Sequence, residues 1–395
     1  MTRFQVEPGR HRPGLFPVIR KWWGEKPLAQ LGLFLGAGLV FATLGSNMAS
    51  NMRLLGLTPG FGFLEHAANF EIGESLIPYS AGDSYGRAIT AGLLNTISVS
   101  FLGCALATFL GVALGVARLS SNPLLSGSVR GYVEVIRNTP LLLQLFFWNT
   151  ILRALPAPRL AFQPFPGIYL SNRGLYFPGG SAGPAGDMIF LAILAALFLA
   201  LAYLLARRRW KAPMSSLHVA LVVAVAICLP LAVGATLGAT IVIDTPELKG
   251  FNIVGGHSIS PEFAALLIAL SLNAAASIAE TVRAGILSVP SGQWEAGRSL
   301  GLSSLHIMRL IVLPQALRVI IPVMTSSYLS LTKNSSLAVA IGFPDLVNVL
   351  NTTANVTGQA LEAICIMMLV YLSLSLAVSM AMNGYNSRWA LRGIR

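Results

Sequence analysis

Apolar residues along this chain come in long blocks, without the alternation of a strand. Eight stretches, near 28–46, 92–117, 138–155, 187–206, 217–243, 263–289, 312–332 and 361–383, carry few charges and run to roughly the length of a bilayer crossing. A helix needs about 20 apolar residues to cross the hydrocarbon core. Bilayer strands would instead alternate over about ten residues. The pattern predicts an all-α polytopic membrane protein with about eight transmembrane helices.

The polar and breaker-rich intervals divide the chain. Residues 1–27 form a basic tail with four prolines and the pair Trp22-Trp23, suited to a membrane interface. Residues 28–87 hold the first span and a loop, 47–91, of Gly, Asn and acidic residues. Residues 88–383 hold the remaining spans, and 384–395 a second tail. Within 156–262, the segment 156–186 is too rich in Pro and Gly for a lipid-facing helix. It reads as an outside loop of turns and short strands, followed by a two-span hairpin joined through Arg207-Arg208-Arg209-Trp210-Lys211. Pro140 predicts a kink in the third span.

Composition agrees with a membrane class: 54% of the 395 residues are hydrophobic and only 11% charged. The net charge of +12 would suggest nucleic acid if it were clustered on a soluble domain. Its placement argues for topology instead. With the N-terminus inside, 20 of the 27 Lys and Arg fall on the cytoplasmic side, counting Arg118, Arg130 and Arg137 of the 118–137 region. Ten of the fifteen acids, among them Glu65, Glu71, Glu74, Asp83, Asp244 and Glu247, fall outside. This is the positive-inside bias. Cys104, Cys228 and Cys365 each fall in an expected span with no metal-type spacing, and read as packing residues. The first apolar block lacks a clear cleavage site and reads as an anchor.

Polar residues inside the spans are few: Asn95, Asn273, Ser277 and Glu280. Glu280 and Arg283 are three apart and share a helix face. That pair is either a functional intramembrane charge or a structural ion pair at the interface. A more punctuated signal follows in 291–301, SGQWEAGRSLG. Ser291 is placed to N-cap a short helix, Glu295 falls near its positive end, and Gly301 suits the left-handed position that ends it. Leu302 and Ile307 are spaced as a hydrophobic staple for a second helix. Three readings of this helix–turn–helix compete: a DNA reader, whose second helix would however be lost in lipid; an incidental loop; or a docking surface. In the last, Ala296 and Gly297 permit close approach and Glu295 offers an acceptor.

The stretch Glu295, Ala296, Gly297, then Gly301, then Ile311, Leu313 and Pro314 resembles the EAA motif of ABC-importer permeases, with Gly297 in place of its second Ala. That departure loosens the helix slightly and leaves the contact surface little changed. RNTPLLLQLFF (137–147), SIAETVRAGI (277–286) and KNSSLAVAIG (333–342) resemble the polar amino-acid permease subfamily. The extra length of 156–262 and the loop 72–96 resemble the larger permease subunit of general L-amino-acid ABC transporters. The resemblance implies the type I ABC importer transmembrane fold in a bacterial inner membrane, both termini cytoplasmic. It also implies a coupling loop at 291–314, in which Glu295, Ala296, Gly297, Leu300, Gly301 and Leu302 dock an ATPase.

The same resemblance implies two ATPase subunits, a paralogous permease as heterodimeric partner and a periplasmic amino-acid-binding protein. No phosphate-cradling G-x-x-x-x-G-K-[ST] stretch occurs in the chain. ATP and Mg would therefore be bound by the partner ATPase, and the chain would hold no cofactor and perform no catalysis. Asn273, Ser277, Glu280, Lys333, Asn334 and Ser335 are the candidates for the translocation path. Lys333 is either a carboxylate attractor or an interfacial lysine reaching for water. An ion-coupled secondary transporter, which calls for inverted repeats and intramembrane carboxylates, and a non-conducting ATPase-docking sensor are the rival functions.

Overall fold

The structure, a computed structural model, describes residues 27–54, 56, 60–181 and 242–390, with scattered helical residues between 196 and 232. The basic tail up to residue 26, nearly all of the expected span 187–206, the basic run 207–211 and most of the span 217–243 lie outside the described residues. Among the described residues, five helices are long and apolar enough to cross a membrane.

Helix α1 (Pro27–Leu54) extends eight residues past the expected end of the first span. After a 3-10 turn at Phe61–Glu65, α2 (Tyr85–Ala117) starts where the Ser84 hydroxyl accepts from the Arg87 amide. It thus begins seven residues before the apolar block does. Phe63, Ala68 and Tyr85 bury this corner against Leu346, Val349 and Leu350. Asn95, one of the polar residues expected within a span, acts here as a tie. Its side-chain amide donates to the carbonyls of Glu74 (2.8 Å) and Pro344 (2.9 Å).

The expected third span, 138–155, is corrected. It holds only a 13-residue apolar helix, α4 (Leu141–Arg153), which follows an amphipathic helix α3 (Pro123–Asn138) across a break at Thr139-Pro140. At 1.5 Å per residue α4 is about 20 Å long, short of a bilayer crossing. The cause is Pro140, which cannot donate to the Ile136 carbonyl four residues back. The buried Gln144 side chain supplies the missing donor, to the Ile136 carbonyl (2.9 Å) and the Thr139 carbonyl (3.0 Å).

The Pro- and Gly-rich loop forms strands as expected. A four-stranded antiparallel sheet has the order β1 (Phe162–Phe165), β2 (Ile168–Ser171), β3 (Gly174–Phe177), β8 (His257–Ile259). Beside it β4 (Gly179–Ser181) pairs with β5 (Val242–Asp244), and β6 (Glu247–Lys249) with β7 (Asn252–Val254). The pairing of Ser181 with Val242 means that the intervening stretch leaves and returns at one point. The described residues on either side of the insertion are therefore stapled together at its base.

Helix α5 (Pro261–Leu287) is the centre of the bundle, with 61% of its span buried. Ser260 caps it, accepting from the Phe263 amide and donating to Glu74. Lipid tails are as apolar as leucine, so in a membrane close packing rather than the hydrophobic effect joins helices. Gly111 and Gly115 of α2 supply it: a Cβ at 111 would lie 2.6 Å from Ile278, and one at 115 would lie 2.8 Å from Val282. Next come α6 (Ser291–Ser299) and α7 (Ser304–Ile307). A π turn at Met308–Val312 then leads into α8 (Leu313–Asn334). The wider turn precedes Pro314, which lacks an N–H for the carbonyl four residues back. A 3-10 segment, Ser335–Ile341, leads to α9 (Leu346–Thr357) and α10 (Ala360–Ala390).

Candidate functional site

The segment 291–301 folds as a helix closed by glycine. The Leu302 amide donates to the Gly297 carbonyl (3.2 Å) and the Gly301 amide to the Arg298 carbonyl (2.9 Å). Gly301 is at φ 71°. These two bonds are the Schellman arrangement, which glycine enters without the Cβ penalty. Pro290 occupies the N-cap and Ser291 is the first helical residue, so the expected serine cap is replaced by a proline whose missing N–H costs nothing at that end. Ser303 stands at the N-cap position of α7, but its hydroxyl meets His306 Nδ1 (2.7 Å) rather than a backbone amide. Leu302 and Ile307, the staple positions, enter one apolar cluster with Trp294 and Ile311.

The two faces of α6 differ. Glu295, Ala296, Ser299 and Leu300 face outward, with Leu300 78% exposed. Trp294 and Gly297 face the bundle. Gly297 is thus buried against the bundle and not on the open surface with Glu295 and Ala296. A Cβ there would lie 2.8 Å from Ile307 Cγ1 and 3.2 Å from Ile311 Cδ1. The missing methyl is what lets the two isoleucines seat the helix. Leu302 is half-buried in the same cluster, and Gly301 is exposed.

The second feature is a cavity of about 610 Å³ between α5 and α8, closed at one side by the break between α3 and α4. From α5 it is lined by Asn273, Ser277, Glu280, Thr281 and Ser288, and from α8 by Ser326, Ser327, Ser330 and Asn334. Apart from the adjacent pairs Glu280-Thr281 and Ser326-Ser327, these fall three, four or seven apart, one stripe on each helix. Four of the six path candidates, Asn273, Ser277, Glu280 and Asn334, therefore come together here. Lys333 and Ser335 do not line the cavity. Lys333 is exposed on another face of α8, and Ser335 is buried, its hydroxyl donating to the Thr332 carbonyl (2.8 Å).

Glu280 has two cationic partners. Arg283 Nη2 lies 2.7 Å from Oε1, and Arg118, at the end of α2, reaches Oε2. The sequence spacing showed the first partner; the second required the tertiary contact. Sequence reasoning also missed Arg137, assigned to a cytoplasmic loop, and Gln144, hidden in an apolar run. Arg137 lines the cavity. The available signal for both was the proline between them, which breaks the helix and needs a donor.

A helical bundle with a hydroxyl-rich cavity between two spans, and a short surface helix joining those spans, defines a membrane transport permease. The family described as "Binding-protein-dependent transport system inner membrane component" matches residues 217–391. The general L-amino acid transport system permease protein AapQ of Rhizobium johnstonii is 45% identical over 355 residues, 87% of each chain. YhdX of Escherichia coli K12 is 44% identical over 379 residues, 95% of each chain. The glutamate/glutamine/aspartate/asparagine transport system permease protein BztB of Rhodobacter capsulatus is 38% identical over 397 residues, 91% of this chain and 92% of that one. The chain belongs to the family of amino-acid ABC transporter permeases, inner-membrane transport components.

Proposed function

We propose that the chain is one half of the translocation unit of an ATP-driven importer of L-amino acids of broad specificity, working by alternating access between periplasm and cytoplasm. The observation that carries this reading is mechanical. Helix α6 is the link between α5 and α8, and those two helices are the walls of the cavity. A force applied to the exposed Glu295, Ala296 and Leu300 reaches both walls through the buried seat of Gly297, Trp294, Ile307 and Ile311. Leu302 and the Gly301 turn fix the angle at which the helix is held.

In this reading two ATPase subunits, which bind ATP and Mg, grip α6, and a second permease of the same family closes the other side of the cavity. A periplasmic amino-acid-binding protein delivers substrate at the end carrying the β-strands. Both termini lie in the cytoplasm, since α6 and the basic residues near it must meet the ATPase. Residues 28–87 and the insertion 156–262 build the outer surface, and 291–314 is the coupling loop.

Glu295→Lys is the test. The charge-reversed permease is expected to insert normally but to lose co-purification with its ATPase at least tenfold. Retention of the ATPase at the wild-type level would refute the docking role. Uptake in proteoliposomes driven by an ion gradient without ATP would instead identify a secondary transporter.

A further inference from the structure

We infer that Arg137 is the carboxylate-selecting residue of the cavity: it takes the α-carboxylate of the amino acid in transit, about halfway across the membrane. This rests on the importer reading above and adds to it the group on the substrate that the chain recognises.

Depth comes first. Tyr132 of α3 donates to the Leu272 carbonyl of α5 (3.2 Å), and Leu141 of α4 packs with Leu266, Ala269 and Leu270. Arg137 lies between those two anchor points in sequence and lines the same cavity as Asn273 and Ala274. Ala274 is the midpoint of α5, whose 27 residues make a helix about 40 Å long. Arg137 thus stands level with the middle of a transmembrane helix, not in a cytoplasmic loop.

An arginine at that depth calls for a counter-charge, because a lone cation is costly there. The acids within reach are committed elsewhere. Glu280, across the cavity, is held by both Arg118 and Arg283. Glu134, one turn back on α3, is held by Arg130 at 2.8 Å. Among the described residues the Arg137 guanidinium has no ion-pair or hydrogen-bond partner. The cavity therefore carries an unpaired positive charge at one wall, and on the other two hydroxyls and amides beside the Glu280 carboxylate that Arg118 and Arg283 already hold. A guanidinium matches a carboxylate with two parallel N–H bonds. The acceptors of Asn273, Ser277, Ser327 and Asn334 suit an α-ammonium and a polar side chain. The occupant this charge pattern favours is a neutral or acidic α-amino acid; a second positive charge on the side chain would meet no free anion.

The experiment uses the assembled transporter with its ATPase and binding protein in nanodiscs. Phenylglyoxal, which modifies accessible arginines, is applied, and the adduct at Arg137 is quantified by mass spectrometry. Saturating glutamine is expected to lower modification of Arg137 at least fivefold, while glutamine amide, which lacks the carboxylate, leaves it unchanged. Equal protection by both, no protection by either, or an Arg137 that the reagent never reaches would each overturn the proposal. In proteoliposomes, Arg137→Gln is expected to cut the amino acid moved per ATP about tenfold while binding-protein-stimulated hydrolysis persists, with partial recovery in Arg137→Lys. An unchanged ratio would also overturn it. A wild-type complex without ATP-driven uptake would sink the importer reading itself, an outcome distinct from these.

Discussion

Two helices of this chain carry the same small-residue spacing and meet different fates. Gly32 and Gly36 stand four apart in α1, as Gly111 and Gly115 do in α2. Such pairs let helix backbones approach closely in lipid. The α2 pair is used: side-chain and backbone atoms of α5 fill the places where its methyls would be. The α1 pair has nothing within 4 Å, and none of the α1 span is buried. The mean hydropathies, 1.8 and 2.1, do not separate the two helices. A small-residue pair permits contact, but only the tertiary neighbour makes it.

The sharpest way to break this comparison is to fill one glycine in each helix. Gly111→Leu drives a side chain into Ile278 and the Ala275 carbonyl, and the strain should exceed the about 1–3 kcal/mol typical of core overpacking. The expected outcome is loss of a folded, monodisperse permease in detergent. Gly32→Leu should change thermal stability by under about 0.5 kcal/mol, the range of an unpartnered surface position. Equal effects of the two would mean that α1 is packed after all.

A second test concerns the other side of α5, where α3 and α4 lean on it. Gln144→Leu keeps the volume roughly but strands the Thr139 carbonyl beside Pro140 and leaves the Ile136 carbonyl only the Thr139 amide at 3.4 Å. Leaving a buried acceptor unpaired costs about 1–3 kcal/mol, so a lower melting temperature with near-normal helix content is expected. No change would mean that water replaces the amide.

The smallest expected effect lies at the outer corner, where α2 meets α9. Asp345 is fully buried; its Oδ1 accepts from the Asn348 amide (2.9 Å) and its Oδ2 has no hydrogen-bond partner. Burial pushes its carboxyl up to about 7. Since the folded state then holds a proton the unfolded chain would release, stability is greatest below the ordinary carboxylate range. It falls as pH rises through that range to about 7, then levels off. Asp345→Asn keeps the cap and removes the ionisation. The variant should melt higher than wild type at pH 8, with the difference shrinking as pH falls. A difference independent of pH would assign it to packing instead.

Much of the candidate site was legible because its signals are local. The Gly301 turn and the Leu302–Ile307 spacing follow from backbone rules that act within a few residues, and they formed as read, whereas the Ser291 cap did not. The stripe Asn273, Ser277, Glu280 follows from helical period alone. The inward turn of Gly297, the second partner of Glu280 and the depth of Arg137 were not legible, because each depends on which helix lies opposite. Arg137 was not read as a cavity residue for a specific reason. Its charge was counted toward topology as if α3 lay on the membrane surface, whereas Pro140 and Gln144 let a broken helix enter the bundle.

By itself the sequence determined the class of the protein, its apolar spans and the short helix between two of them. Length of apolar run, charge bias and capping residues all act on the chain one segment at a time. The tertiary structure alone decided which glycines are filled by neighbours, which carboxylate is shared by two arginines and which arginine lines the cavity without a partner among the described residues. In lipid, apolar surfaces gain nothing merely by leaving the solvent, so position is settled by shape fit and by the pairing of polar groups between segments far apart in the chain.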